Sequence, residues 1–445
     1  MSNRREANRT DESTQSMTPS LIENAAVAEE YISFPKVIEV SENDTPTVTL
    51  QRYLSVNSVL STKSSFAIRQ QEATEKDFPL EIIGEGFCAI VYDFPRSGRA
   101  IKAARPQKDT DLWNDFVAHC RIWEATKNNT SFCVPRPSYF VLGQDISAWM
   151  IEHRREIKTQ TEFKSIPSAI LLSERIMPLP RVIRQALVEV FCPPNEKKQA
   201  ASDPQNKSCL VRLYLGIRRP NQRTEGSFTL RNFELTLDKM DVLGIEPYQF
   251  VRPMAEALAI MHWTAQRDAY DVEFVLGSSP ERRISADELD SIDLEGRMIT
   301  TWNRTQVGSA NLNFLRRTVS VWLLDFNQCQ RMAPTPLGVD NAVKAFWEND
   351  PYFPRPNQDS SSTEAKLWQE FKGVYLEKSY ECLDATATLP SEFILKVEQE
   401  AKKRMPSSLV LLGPPKSSTP STPSPSASSS KNDKKKAKHQ KYISM

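Results

Sequence analysis

Residues 261–277 read MHWTAQRDAYDVEFVLG, and they join the end of an apolar helix to a short apolar strand through a polar turn. Upstream, apolar residues at 250, 251, 254, 258 and 261 predict a helix over Tyr248 to Trp263. Downstream, Val272 to Leu276 has the length and composition of a strand. The turn carries Arg267, Asp268 and Asp271. Helix, acidic turn and strand in this order can present a carboxylate beside a substrate hydroxyl. Asp268 is the candidate, since it need only orient the hydroxyl and accept its proton late in a transfer. Asp268 and Asp271 equally fit turn capping. His262 reads as a structural helix-end histidine rather than a base.

Working outward, VSVWLLDFNQCQ (319–330) is an apolar strand that ends abruptly in Asp325. A carboxylate there is costly unless a cation or hydrogen-bond donors receive it, and magnesium on a triphosphate would do so. A strand-end cap is the plainer alternative. Near the other end, IGEGFCAIVY (83–92) sets Gly84 and Gly86 two apart inside a strand–turn–strand pattern. With only 13 glycines in 445 residues, the pair asks for a reason: close approach of backbone to a ligand, or a tight turn of positive φ. A phosphate-covering loop meets both demands and a simple β-turn the second. Val91 stands where an apolar residue would cover a base, while Ala89 replaces the third glycine of G-x-G-x-x-G.

Lys102, in RAIKAA, is a lone ammonium between apolar neighbours on a predicted strand. Its point charge suits phosphate oxygens, and a carboxylate of the following helix would hold it in place, either Glu124 or Asp115. A strand-edge lysine pointing to solvent is the alternative. That helix is predicted over Asp111 to Ala125, with Leu112, Phe116, Cys120 and Trp123 in register. Strands are expected at Leu80 to Tyr92 (a pair), Arg99 to Ala103, Ser138 to Leu142, Ala148 to Glu152, Ala169 to Met177 and Val211 to Ile217, and a further helix at Arg181 to Phe191.

Glycine-containing turn, strand lysine, helix, strands, helix, Arg-Asp turn, strand, and a strand ending in Asp-Phe follow the order of the protein-kinase signature set, and the chain resembles a protein-kinase-like fold. The resemblance implies two lobes joined at ILLSERIMPLP (170–180), where backbone around Glu174 to Met177 would meet an adenine. It also implies ATP and magnesium as cofactors. Lys102 and Asp268 would carry catalysis, Gly84, Gly86, Val91, Lys102, Glu174 and Met177 would bind nucleotide, and Asp325 and Glu273 would hold metal. Departures accompany the likeness: Glu273 replaces the kinase Asn that holds a second magnesium, Gln266 replaces the histidine, and Asn327 replaces the glycine after Asp-Phe.

The strings RLYLGIRRP (212–220), SFTLRNFELTLDKM (227–240), the stretch 254–277, WLLDFNQC (322–329) and DPYFPRP (350–356) resemble a fungal domain family of unknown function, some members of which are labelled zinc-finger proteins. The likeness covers most of 80–380. No zinc is expected, because no Cys/His cluster has ligand spacing.

The fold class expected is α+β. Residues 1–75 read as a mostly disordered leader and 76–178 as a first lobe of antiparallel sheet plus one helix. Residues 179–405 read as a larger, mainly helical lobe with insertions near 193–209 and 278–317, and 406–445 as a disordered Ser/Pro-rich and basic tail. The hydrophobic content of 39% agrees with unfolded ends. Lys plus Arg, 57, nearly cancels Asp plus Glu, 56, so no overall field draws the chain to nucleic acid or anionic lipid. Nucleic-acid contact is left to the basic tail, KNDKKKAKHQK (431–441), which also fits a nuclear-import address. Seven scattered cysteines read as reduced thiols. No apolar run is long enough to span a membrane, so an intracellular protein, cytoplasmic or nuclear, with a protein partner is expected. Two functions compete: a working phosphotransferase, and a pseudokinase-like interaction module that has lost turnover.

Overall fold

The computed structural model describes residues 37–38, 44–56, 59–61, 80–94, 97–154, 157, 163–220, 227–282, 312–357, 359–383 and 386–404. The molecule is α+β and two-lobed, as expected. The first lobe is a five-stranded antiparallel sheet in the order β3-β4-β5-β7-β6, made of β3 (Glu81–Glu85), β4 (Ala89–Phe94), β5 (Arg99–Ala104), β6 (Pro137–Leu142) and β7 (Ala169–Glu174). β4 and β5 lie in the middle and bury both faces, so they read as apolar runs and not as a strict alternation.

Between β5 and β6 lies a long helix, Asp109–Thr126, with Asp109 and Asp111 in its first turn where the dipole favours acid. Its buried face is Leu112, Asp115, Ala118, His119, Ile122 and Thr126. The expected strand at 148–152 is a helix, Ile146–Glu152. Its buried residues are Ile146, Trp149 and Met150, spaced three and four apart, and a five-residue window is too short to tell that period from alternation.

The second lobe carries seven helices among the described residues, at Arg181–Phe191, Lys197–Ser202, Leu237–Leu243, Tyr248–Trp263, Pro336–Glu348, Thr363–Cys382 and Leu389–Arg404. The short Lys197–Ser202 helix sits inside the polar stretch that reads as a loop. Tyr248–Trp263 is buried almost all round and forms the centre of the core against Thr363–Cys382. At this contact Trp263 Nε1 donates to Ser379 Oγ at 2.9 Å, and His262 Nδ1 lies 2.9 Å from the Tyr375 hydroxyl. Burial holds His262 down to about 3, which keeps it neutral and structural.

This lobe also holds a six-stranded sheet, β1-β2-β11-β10-β8-β9, larger than the isolated strands expected. It consists of β1 (Val37–Ile38), β2 (Val59–Ser61), β8 (Val211–Tyr214), β9 (Phe233–Thr236), β10 (Glu273–Arg282) and β11 (Leu312–Leu324). β10 and β11 form a long antiparallel hairpin, so both ends of the stretch 278–317 belong to strands. Residues 283–311 and the basic tail lie outside the described residues.

The leader is not wholly unstructured. Pro46–Tyr53 is a helix capped by Thr45, whose hydroxyl accepts from Val48 N, with proline at its start. Leu50, Tyr53 and Leu54 are fully buried against Arg181–Phe191. Few apolar residues suffice here because the groove they fill is built by the second lobe.

Candidate functional site

A cavity of about 210 Å³ opens between the lobes. Gly84, Gly86, Val91 and Leu171 form its roof, and Leu210, Val275 and Leu324 its floor. At its centre Lys102 Nζ donates to Asp115 Oδ2 at 2.6 Å and to Asp325 Oδ1 at 2.7 Å. Burial opposes the charge, yet Asp115 and Asp325 together hold the Lys102 ammonium far above its usual range. Asp115 is therefore the helix carboxylate on Lys102. Glu124 lies on the outer face and pairs with Lys127 at 2.5 Å. The second oxygen of Asp115 accepts from Phe326 N at 3.2 Å, so one carboxylate binds the strand lysine and the Asp-Phe turn of the other lobe at once.

Neither Gly84 nor Gly86 has positive φ, so the tight-turn reason falls. Close approach remains at Gly84, where an added Cβ would stand 3.3 Å from Val91 Cβ. The loop is closed by Gly86 N donating to Ala89 O at 2.8 Å, and the Gly86 carbonyl accepts from Arg105 Nε at 2.9 Å. It is also tied to the second lobe, because Asn327 Nδ2 lies 3.1 Å from Cys88 Sγ. Asn114 Nδ2 in turn donates to the carbonyls of Asn327 and Cys329, at 2.6 and 3.2 Å. The residue that departs from the kinase glycine thus fastens the loop to the floor.

The linker between lobes differs from the expectation at Met177. Its N–H donates to Ser278 O at 3.1 Å and its carbonyl accepts from Ser278 N at 2.8 Å, so both groups are used, and its side chain is buried away from the cavity. Glu174 does line the cavity, but its N–H is bonded to Arg136 O and its carboxylate accepts from Arg136 N. Ile176, between them, lines the cavity, and its backbone groups make no hydrogen bond within the described residues. It is the linker residue left open to a ligand.

Asp268 does not reach the cleft. It is 6% exposed, and its Oδ1 accepts from Tyr270 N at 3.1 Å and Gln330 N at 2.9 Å. Burial raises its pKa against the pull of those amides. Turn capping is thus the role the geometry gives Asp268. Asp271 does not line the cavity either, but burial, with Asp325 and Asp350 nearby, pushes it up to about 6, while Gln328 hydrogen-bonds it. The turn is conformationally unusual, for Gln266, Ala269, Asp271 and Asp325 all have left-handed φ, between 53° and 63°.

Glu273 lines the floor, ion-paired to Arg212, whose Nη1 also lies 3.8 Å from Asp350 Oδ2. Pairing of Val275 with Arg212 across β10 and β8 fixes this contact by register. Burial, against the pull of Arg212 and with Asp325, Asp271 and Asp350 nearby, pushes Glu273 up to about 7. Both carboxylates expected to hold magnesium therefore already bind a cation of the chain, Lys102 at Asp325 and Arg212 at Glu273. Among the described residues no group of three or more His, Cys, Asp or Glu is placed to hold a metal ion. A magnesium ion at this pair of carboxylates would compete with Lys102 and Arg212 for them.

Sequence reasoning missed Arg212, Arg231 and Asn114. No spacing rule links Arg212 to Glu273, and only the strings RLYLGIRRP and SFTLRNFELTLDKM, which contain Arg212 and Arg231, carried any signal. The Arg231 side chain lines the cavity from the turn before β9, and its charge holds Glu85 of the glycine loop down, behind the larger effect of Lys164.

A family model described as "Zinc finger protein", for a domain of unknown function, matches residues 321–387. Those residues run from the end of β11 through the Asp325 turn into Thr363–Cys382 and just beyond. No curated protein matches the chain. Solved structures that match include the GDP and kanamycin complex of APH(2")-IIia, at 13% identity, covering 77% of this chain and 99% of that chain, with a TM-score of 0.18. A score so low gives the likeness no weight. No helix among the described residues is long and apolar enough to cross a membrane.

Proposed function

We propose that the chain is a kinase-like nucleotide-binding module of pseudokinase type, which binds in the cleft between its lobes, presents a surface to a protein partner and does not transfer phosphate. The observation that carries this reading is the Lys102 node, where a strand lysine bonds a helix carboxylate and the carboxylate at the end of a buried strand in the other lobe. An inter-lobe cavity bounded by a glycine loop and apolar walls supports the same reading. Against turnover stands Asp268, whose Oδ1 accepts from two backbone amides and which does not line the cavity.

Thermal denaturation with ATP tests it. Millimolar ATP should raise the midpoint by about 2–4 °C, as ligand linkage gives for a chain of this size. Lys102→Ala and Asp325→Asn should lose the rise, and no phosphate should reach protein or water. Absence of any rise in the wild type sinks the nucleotide reading.

One observation favours a second reading, an active phosphotransferase. Asp271, raised to about 6 beside Asp325, has the affinity for protons of a general base. Steady release of ADP by the wild type, abolished in Asp271→Asn, would replace the first reading with this one.

A further inference from the structure

Within the nucleotide reading, on which this step rests, we infer that the cleft takes its phosphate-bearing ligand without a divalent metal, and that Arg212 and Arg231 supply the positive charge a metal would bring. Arg212 lines the cavity beside Glu273, whose carboxylate it binds while Asp325 acts on that same carboxylate from nearby. Glu273 keeps its guanidinium charged against the cost of burial. A divalent cation brought there would meet the repulsion of Arg212 and Lys102, each of which already engages a carboxylate that should attract it.

The same side chains retain capacity for an anion. Arg212 Nε is buried with no hydrogen-bond partner among the described residues, and so is Arg231 Nη2. A buried unsatisfied N–H is costly, and both of these belong to arginines that line the one cavity. Planar guanidinium donors match phosphate oxygens. Arg231 approaches from the second lobe opposite Glu85 of the glycine loop, so a phosphate between them would be held from below by arginine where a loop alone covers it from above. The ligand class is a nucleoside di- or triphosphate, its base against Val91 and Leu171 and the open backbone of Ile176.

The test uses the full chain and isothermal titration with ADP, ATP and adenosine, once in excess EDTA and once in magnesium chloride. ADP and ATP should bind in EDTA with affinities within about twofold of those in magnesium, because no metal site contributes. Arg231→Gln should weaken ADP in EDTA by about tenfold, the cost of one charge-assisted contact, and leave adenosine unchanged. Arg212→Ala leaves Glu273 orphaned and is open to misfolding, so the paired change Arg212→Gln with Glu273→Gln is used, removing both charges at near-constant volume; it too should weaken ADP and spare adenosine. Binding of ADP and ATP only in magnesium overturns this inference and leaves the nucleotide reading standing. Equal binding of ADP by the wild type and both variants overturns it as well. No binding in either condition removes both.

Discussion

Two ionic nodes meet the same cleft and are built differently. The Lys102 node joins the lobes: one ammonium is shared by Asp115 from the first lobe and Asp325 from the second. The Arg212 node lies within the second lobe, where strand register places the guanidinium on Glu273 and a neighbouring strap brings Asp350 to 3.8 Å. A shared lysine can exchange partners when the lobes move or a ligand arrives, because each carboxylate has another hydrogen-bonding option or some access to water. An arginine fixed by register inside one sheet cannot. The first node ties the two lobes together, and the second sets the charge of the floor.

The largest expected effect is on the fixed node. Arg212→Ala leaves Glu273 buried among other carboxylates and should cost about 3–5 kcal/mol in urea unfolding. Arg212→Met combined with Glu273→Leu should recover most of that loss, and no recovery would show that packing, not charge, dominates the node. For the shared node, Lys102→Ala should cost less, about 2 kcal/mol, since Asp115 keeps its bond to Phe326 N and Asp325 can turn to water. An equal cost for the two substitutions would erase the distinction.

Acidity separates the nodes further. Glu273 is raised from 4.5 to about 7 and Asp271 from 3.8 to about 6 by burial and their carboxylate neighbours. A carboxyl raised on folding favours the folded state where it is protonated, so this contribution is whole below about pH 4 and is lost as pH climbs through 6 and then 7. Unfolding free energy measured from pH 5 to 8 should decline with a slope that Glu273→Gln reduces, by on the order of 1 kcal/mol per pH unit near 7. Lys102→Ala should leave the slope as it is. The smallest effect is expected at the tether between nodes: Asn114→Ala, which frees the Asn327 and Cys329 carbonyls, should cost about 1 kcal/mol by the same unfolding assay.

Much of the fold is legible in local pattern. Arg181–Phe191 and Tyr248–Trp263 appear over the ranges their spacing predicts, because apolar spacing that recurs over three or more turns repeats its signal. Lys102 and Asp325 stand out since an isolated charge in an apolar strand has few physical uses. Elsewhere the pattern misleads for definite reasons. Of the stripe Leu112, Phe116, Cys120, Trp123, only Leu112 is fully buried, and the other three mark a half-buried flank of the long helix, where Trp113, Phe116 and Phe140 pack together. The deeper face runs one residue earlier, through Asp115 and His119, so a purely apolar reading cannot separate Asp115 from Glu124. Asp268 and Asp271 are three residues apart in one turn, and how each is held depends on left-handed backbone at Ala269 and Asp271 that neither residue type announces. The partnership of Arg212 with Glu273 spans 61 positions and exists only through pairing of β8 with β10.

The helix Pro46–Tyr53 bears on how the protein can be handled. Composition invites anyone to trim the chain at about residue 75, yet Leu50, Tyr53 and Leu54 plug a groove in the distal lobe, with Gln51 Nε2 donating to Gly244 O at 3.2 Å and Val56 N donating to Gln249 Oε1 at 3.0 Å. A shortened polypeptide lacking this plug would bare an oily furrow on Arg181–Phe191 and be prone to clumping, whatever the state of the cleft between its lobes.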